Sequence, residues 1–352
     1  RRERDGRGLT TPEFAVLVAY AKLALKGSLL ESEVPDDSYL ESTLLEYFPA
    51  PLRERFGDVL RQHPLRREII VNSLANNMVN RGGITFAFRA VEETGASYPQ
   101  VARAFVVCRD VFDLAGFVTQ VEGLDNKVST AAQSELYLEF RRLLDRAVRW
   151  FLNNQSLTSR VERDIERFRG PVRELTPKVG GMLLGSERER WLAQAERARG
   201  NGIPEDLATW YASLLDSFSL LDIVELAEQV DRPVEEVAEL YFATSERFQV
   251  DELLTAVSNL PRDDRWSSLA RGAVRDDLYG VLRALTRTVL QGSEPHDDPR
   301  VRIDQWAGNN RESLTRVSQV LKNVARLENP GLAPVSVALR TLRGLVRQGA
   351  SG

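Results

Sequence analysis

The apolar residues of this chain recur at helical spacing from one end to the other, and alternation with a period of two is rare and short. A helix buries one stripe of its 3.6-residue cycle, whereas a half-buried strand buries every second residue, so the pattern excludes a sheet-based core. The stripe Leu136, Phe140, Leu143, Ala147 and Phe151 shows the helical period most cleanly, on one long helix. The expected fold class is therefore all-α, a multi-helix array or bundle with no Rossmann sheet.

Capping signals place many of the helix starts. Thr10 with Glu13, and Pro12 in the first turn, open the first helix. Its residues Phe14, Leu17, Val18, Ala21, Leu25 and Leu29 share one face, while Ala15, Val16, Ala19 and Leu23 make the other side apolar too. A helix apolar nearly all round is expected to be buried. A second helix is expected over 36–48, stopped by Pro49 and Pro51. Ser97 before Pro99, Pro204 before Glu205 and Pro233 before Glu235 open later helices. Breaks fall at 200–204, 261–264 and 293–299, and two more helices are expected at about 310–327 and 332–348. The domain reading is a polar tail over 1–8, a main helical domain over 9–292, a linker over 293–299, and terminal helices over 300–352 packing on the same domain. The chain opens on Arg1 rather than Met, in a polar stretch, and is expected to be an internal piece of a longer polypeptide.

An internal similarity crosses the middle of the chain. Val101-Ala102, Phe105 and Phe112 recur as Val237-Ala238, Tyr241 and Phe248, at a constant offset of 136 that continues through Val121 with Val257 and Leu124 with Leu260. After a six-residue slip, Leu136, Tyr137, Arg141 and Leu143 lie over Leu278, Tyr279, Arg283 and Leu285. Two readings fit: a diverged tandem copy of one helical unit, over 97–152 and 233–290, or a shared helical period alone. Different helix order or packing in the two segments would remove the first.

Composition excludes several functions. The formal charge is −4 with both signs interspersed, which gives no basic stripe for nucleic acid, and the pairs Arg66-Arg67 and Arg141-Arg142 read as solvated helix faces. No apolar run approaches the roughly 20 residues that a membrane helix needs, and no signal-peptide pattern is present, so no membrane association and a cytoplasmic location are expected. The single cysteine, Cys108, in the run AFVVC, reads as a small buried hydrophobe. His63 and His296 lie far apart in loop contexts. His296 with Asp297 and Asp298 reads as an exposed polar linker rather than a metal site, and no metal site is expected. Dinucleotide binding needs G-x-G-x-x-G between a strand and a helix; Gly82-Gly83 and Gly180-Gly181 with Gly185 lack that spacing. The second cluster also lacks a phosphate-loop lysine, with Glu187 following Ser186, and reads as a helix-to-helix turn. No catalytic and no cofactor-binding residue is assigned.

The candidate site is a set of asparagines. Asn72, Asn76 and Asn80 recur at i, i+4 and i+8, which puts them on one helix face, with Asn77 and Ser73 beside them. Asn is a poor helix former, so three in register suggest a face that meets something polar. That is either a buried hydrogen-bonded helix contact or a domain or subunit interface. Arg81-Gly82-Gly83 then ends the helix; either glycine can take the left-handed cap, leaving Arg81 to serve last-turn carbonyls or an outside carboxylate.

The segment LANNMVNRGGITFAFRAVEETGASYPQVARAFVVCRDVFDL, residues 74–114, resembles the C-terminal helical region of the large bacterial NAD-specific glutamate dehydrogenases. GLTTPEFAVLVAYAKLAL, YFPAPLRERF, HPLRREII, LDNKV with Gln133, RPVEEVAELYF and LPRDDRWSSLARGAVRDDLY are similar to that family in the same order. Residues 154–200 and the tail after 295 are less distinctive. The resemblance implies an intact parent that oxidises L-glutamate with NAD to 2-oxoglutarate and ammonium. It places the catalytic lysine and aspartate in an upstream catalytic domain, so none is carried onto a position here. It further implies a homo-oligomeric parent, NAD bound by the parent and not by this fragment, residues 1–8 as the junction to the upstream catalytic domain, and a structural or regulatory platform docked on that domain. A stand-alone helical protein-interaction module without enzymatic activity is the alternative that composition fits equally well.

Overall fold

The computed structural model describes residues 8–155, 161–261, 263–296 and 298–349. The fold is all-α, with no strand and no Rossmann sheet among the described residues. The chain divides into two compact units at Arg173/Glu174, inside the span 9–292 that the sequence reads as one helical domain.

The first unit holds α1 (Thr11–Leu30), α2 (Glu41–Glu46), α3 (Ala50–Arg61), α4 (Arg66–Asn77), α5 (Phe86–Thr94), α6 (Tyr98–Val111), α7 (Leu114–Glu122), α8 (Thr130–Asn154) and most of α9 (Val161–Leu175). Local chemistry fixes the starts. The Thr10 backbone N–H and hydroxyl both donate to Glu13 Oε2, at 2.8 and 2.7 Å. The Ser97 N–H donates to Gln100 Oε1 at 2.8 Å, and Ser129 Oγ accepts from the Ala132 N–H at 3.2 Å. The long α8 is the spine: its stripe Leu136, Phe140, Leu143, Ala147 and Phe151 is buried against α5, α6 and α7. Each leucine and phenylalanine of the stripe contributes roughly 1.5–3 kcal/mol on leaving water. Trp150, Phe151 and Phe168 close the core in a three-ring cluster, every pair edge-to-face with centroids 5.1–5.5 Å apart. Cys108 is fully buried in α6, and burial pushes its thiol pKa up.

Three expectations change here. Two short 3-10 turns, Val34–Asp36 and Ser38–Leu40, and α2 stand where one helix over 36–48 is expected, and Pro49 and Pro51, which follow the end of α2, also open α3. Proline is as compatible with a first turn as with an end, because its missing N–H has no intrahelical partner there. The Arg66-Arg67 pair is not merely solvated: both bond Asp36, and Arg67 Nη2 donates to the carbonyls of Leu30 and Ser32 at 2.8 and 2.9 Å, satisfying the end of α1. Thirdly, α1 buries only Leu25 and Leu29 well; Val16, Leu17, Tyr20 and Leu23 stand exposed.

The second unit holds α10 (Val179–Met182), α11 (Gly185–Gly200), α12 (Glu205–Ser213), α13 (Leu220–Val230), α14 (Val234–Arg247), α15 (Val250–Asn259), α16 (Arg265–Gln291), α17 (Pro299–Asn309), α18 (Arg311–Ala325) and α19 (Leu332–Gly349). Its spine is α16, which packs against α13, α14, α15 and α19. The terminal part carries one helix more than expected. Asp298 accepts from the Arg300 N–H at 2.8 Å and Pro299 takes the first helical position, a start signal read in the sequence as linker. No single helix among the described residues is long and apolar enough to cross a membrane.

The two units share a sequence of elements. Helices α5 and α13, α6 and α14, and α7 and α15 keep the 136-residue offset at their junctions. The residue after the first pair is left-handed in both, Gly95 (φ 72°) and Asp231 (φ 52°), as is the residue before the third, Asp113 (φ 49°) and Gln249 (φ 52°). Each trio is followed by a long helix that packs on all three.

Candidate functional site

The asparagine face sits at the end of α4. Asn72 and Asn76 are half-buried on the helix; Asn80 is exposed in a wider π-helical turn, Met78–Gly82, that follows it. The π-turn shifts the phase of the helix, so Asn80 is carried off the i, i+4 register that the sequence spacing suggests. Among the described residues the side chains of Asn72, Asn76 and Asn80 make no hydrogen bond; Asn77 alone folds back, donating to the Ser73 carbonyl at 3.0 Å.

The turn ends on two glycines required for different reasons. Gly82 is closed by the Phe86 ring, whose Cγ would lie 2.5 Å from an added Cβ. Gly83 has φ 98° and ψ 164°, a conformation essentially restricted to glycine, and its N–H closes the turn on the Val79 carbonyl at 3.0 Å. The half-buried guanidinium of Arg141, on α8, lies against Gly83, 2.6 Å from where a Cβ would be. Arg81 reaches across to Glu122 at the end of α7, Nη2 to Oε1 3.1 Å. Tyr137 lies beside this pair. Burial raises its pKa, the Glu122 charge adds to the effect, and the Arg81 charge and hydrogen bond oppose it. Arg81, Arg141, Tyr137 and the free amides offer hydrogen-bonding groups to an approaching surface, with no nucleophile–base pair among them. The sequence singles out Arg81 and the asparagines. It shows Tyr137 only as an identity with Tyr279, reads Arg141 as part of a solvated face although its guanidinium is half-buried against Gly83, and misses Glu122, because a contact between helices 41 residues apart leaves no local spacing.

The second unit contains a cleft of about 450 Å³ lined by Glu236, Glu239, Leu240, His296 and Arg302. Arg302 is almost fully buried and bonded to Glu236 at 2.5 Å, to Ser293 Oγ at 3.2 Å and to the Leu290 carbonyl, so its charge is satisfied within the fold. His296 is exposed, its Nδ1 accepting from the Asp298 N–H at 2.9 Å; Asp297 lies outside the described residues. Among the described residues no three His, Cys, Asp or Glu side chains are grouped to hold a metal ion.

Gly180 and Gly181 lie within α10, and Gly185, at φ 50°, is the first residue of α11. An added Cβ on Gly180 would meet the Trp191 ring at 2.4 Å, so the backbone there is covered. The first turn of α11 carries Glu187, 7 % exposed, where a pyrophosphate would need N–H groups and positive potential. Burial and the charges of Asp216 and Asp251 push the Glu187 pKa well up. Ser245 Oγ donates to its Oε1 at 3.4 Å, and its Oε2 has no partner.

Fold and sites together define a helical region built on two long buried spines, with a polar face on the first unit and no dinucleotide-binding sheet among the described residues. Residues 6–344 match the family described as "Glutamate dehydrogenase, C-terminal", and the chain belongs to that family. It is 39 % identical over its whole length to the NAD-specific glutamate dehydrogenase of Mycobacterium tuberculosis. It is 38 % identical over 99 % of its length to that of Pseudomonas aeruginosa, and 34 % over 97 % to that of Halomonas elongata. The chain spans about a fifth of the length of these relatives, 22, 21 and 21 %.

Proposed function

We propose that this chain is the C-terminal helical, non-catalytic region of a large NAD-dependent glutamate dehydrogenase, whose intact chain oxidatively deaminates L-glutamate to 2-oxoglutarate and ammonium with reduction of NAD. The observation that carries the reading is the family match over 6–344, combined with relatives of that name four-fifths of whose length lies outside the matched region. The Trp191 ring over Gly180 and the buried Glu187 carboxyl in the first turn of α11 support it: NAD and the reacting groups would belong to the remainder of the polypeptide, and this region would bind none. Its role would be structural or regulatory, a platform docked on the upstream catalytic domain and limiting or coupling its opening and closing, with the unbonded amides of Asn72, Asn76 and Asn80 and the Arg81 side chain at the contact. A cytoplasmic homo-oligomer is part of the same reading.

The test is glutamate-dependent NADH formation, followed by absorbance, on the full-length product of the natural reading frame and on residues 1–352 alone. Activity in the first and none in the second is expected. Activity in the short chain would overturn the non-catalytic assignment, and a folded, NAD-binding but inactive full-length protein would overturn the substrate. Hydrogen exchange with and without NAD should change across residues 72–83 of the full-length protein; unchanged exchange there would remove the coupling role.

A further inference from the structure

The first helix leaves its apolar surface open to water. Val16, Leu17, Tyr20 and Leu23 are 52, 46, 66 and 61 % exposed. At i, i+1, i+4 and i+7 they form one stripe roughly 120° wide, the width with which a helix faces a core. Farther along the same helix Leu25 and Leu29 are buried against their own unit, so α1 is docked at one end and bare at the other. In the same unit, α3 buries none of its residues and exposes Leu52, Phe56 and Val59 at i, i+4 and i+7. Of the eighteen large apolar residues exposed among those described, eleven lie between Leu9 and Leu65. Single exposed apolar residues are ordinary, but such a concentration marks a surface that something covers.

We propose that the α1 stripe is the seat of the polypeptide segment that precedes this chain in the full-length protein. The inference rests on the reading given under Proposed function and adds the place of contact. Two observations choose this occupant. The matched family is a C-terminal one and its match begins at residue 6, so the remaining four-fifths of a relative joins on the α1 side, five residues before the helix starts. The exposed large apolar residues of α1 also lie on the side of Leu25 and Leu29 nearer that junction. The seat is apolar, with the Tyr20 hydroxyl as its polar handle, so the covering surface must be largely apolar too.

Tyr20→Cys provides the test, because the one cysteine within these 352 residues, Cys108, is fully buried and the new thiol is read at its own peptide. Maleimide labelling of residue 20 is followed by mass spectrometry in residues 1–352 and in the full-length protein, with Leu23→Cys as an independent reporter. In the short chain labelling should be fast and independent of protein concentration; in the full-length protein it should slow by about tenfold or more. Equal rates in the two proteins would overturn the proposal. Protection that grows with concentration in the short chain would also overturn it, by making a second copy the occupant. NADH formation is read separately on the unsubstituted full-length protein. An active enzyme with residue 20 open sinks this contact alone, and an inactive one with residue 20 protected sinks the assigned activity alone.

Discussion

Replacing Gly83 with Ala should destabilise the first unit by about 1–3 kcal/mol, because φ 98° with ψ 164° is a conformation that a side chain cannot adopt without strain. The added methyl would also approach the Arg141 guanidinium, 2.6 Å away, but that is the far end of a flexible side chain and can swing aside. Backbone strain therefore dominates, and adding Arg141→Ala should not restore stability. Gly82→Ala separates the two mechanisms. Its φ is unremarkable, while its methyl would lie 2.5 Å from Cγ of Phe86, a ring held 2 % exposed and edge-on to Phe105 at 6.0 Å. Overpacking of that kind costs about 1–3 kcal/mol and should be relieved by Phe86→Leu, giving a coupling energy in a double-mutant cycle. Urea unfolding followed by far-ultraviolet circular dichroism measures all of these. A Gly83→Ala change below about 0.5 kcal/mol, the range of an ordinary surface substitution, would refute the strained turn. Full recovery with Arg141→Ala would refute the backbone explanation in favour of the steric one.

Glu187→Gln should flatten the dependence of stability on pH. The Glu187 pKa is raised in the folded state, so the unfolded chain releases its proton first, and native stability falls as pH rises from the ordinary carboxylate range toward the raised value. The amide cannot ionise and removes that loss. Thermal melts taken upward from about pH 4, roughly where an unperturbed carboxylate titrates, would show it. A variant as pH-dependent as its parent would refute this. Phe168→Ala, which empties the centre of the three-ring cluster with Trp150 and Phe151, should cost about 3–5 kcal/mol in urea unfolding; a cost near 1 would mean that the site collapses. Gln249→Gly, at φ 52°, should raise stability by about 1 kcal/mol, since a left-handed residue other than glycine is strained there; a loss would contradict that backbone geometry.

The helices were legible wherever one signal had one meaning. Ser97 with Gln100 and Pro99 starts α6, and the Leu136–Phe151 stripe marks α8, because capping and periodicity are local. Proline was ambiguous: before residue 49 it reads as an end, yet Pro49, Pro51 and Pro299 all open helices, and only the satisfaction of the surrounding N–H groups decides. The composition of α1 is legible but the place of its burial is not, since an all-apolar helix predicts a covering surface without saying which chain supplies it. At the site, Asn72, Asn76 and Arg81 lie on the segment their spacing marks. The π-turn that displaces Asn80, and the arrival of Arg141 and Glu122 from other helices, are tertiary facts that no short-range pattern encodes.

The shared offset gives a way to ask whether the asparagine face belongs to the fold or to function. We propose that the two units are diverged copies of one helical unit, a reading supported by matching junctions at α5–α6 and α13–α14, paired left-handed residues and the same packing of the following long helix. The offset also aligns the ends of α4 and α12, Asn77 with Ser213. Asn72 and Asn76 then stand opposite Ala208 and Ala212, both buried, and Arg81 opposite Ser217, also buried. The second unit fills with small interior residues the positions where the first carries polar groups at its surface, so the fold does not require the amides. Asn72→Ala with Asn76→Ala, which installs the residues of the second unit, should leave stability unchanged or raise it by up to about 1 kcal/mol, since each Asn costs roughly 0.5 kcal/mol relative to Ala in a helix and neither makes a hydrogen bond that would be lost. The same pair in the full-length protein should weaken the NAD-dependent change in hydrogen exchange across residues 72–83. A loss of more than about 1 kcal/mol in the short chain would place the amides in the fold after all, the scale expected when a buried polar contact is broken.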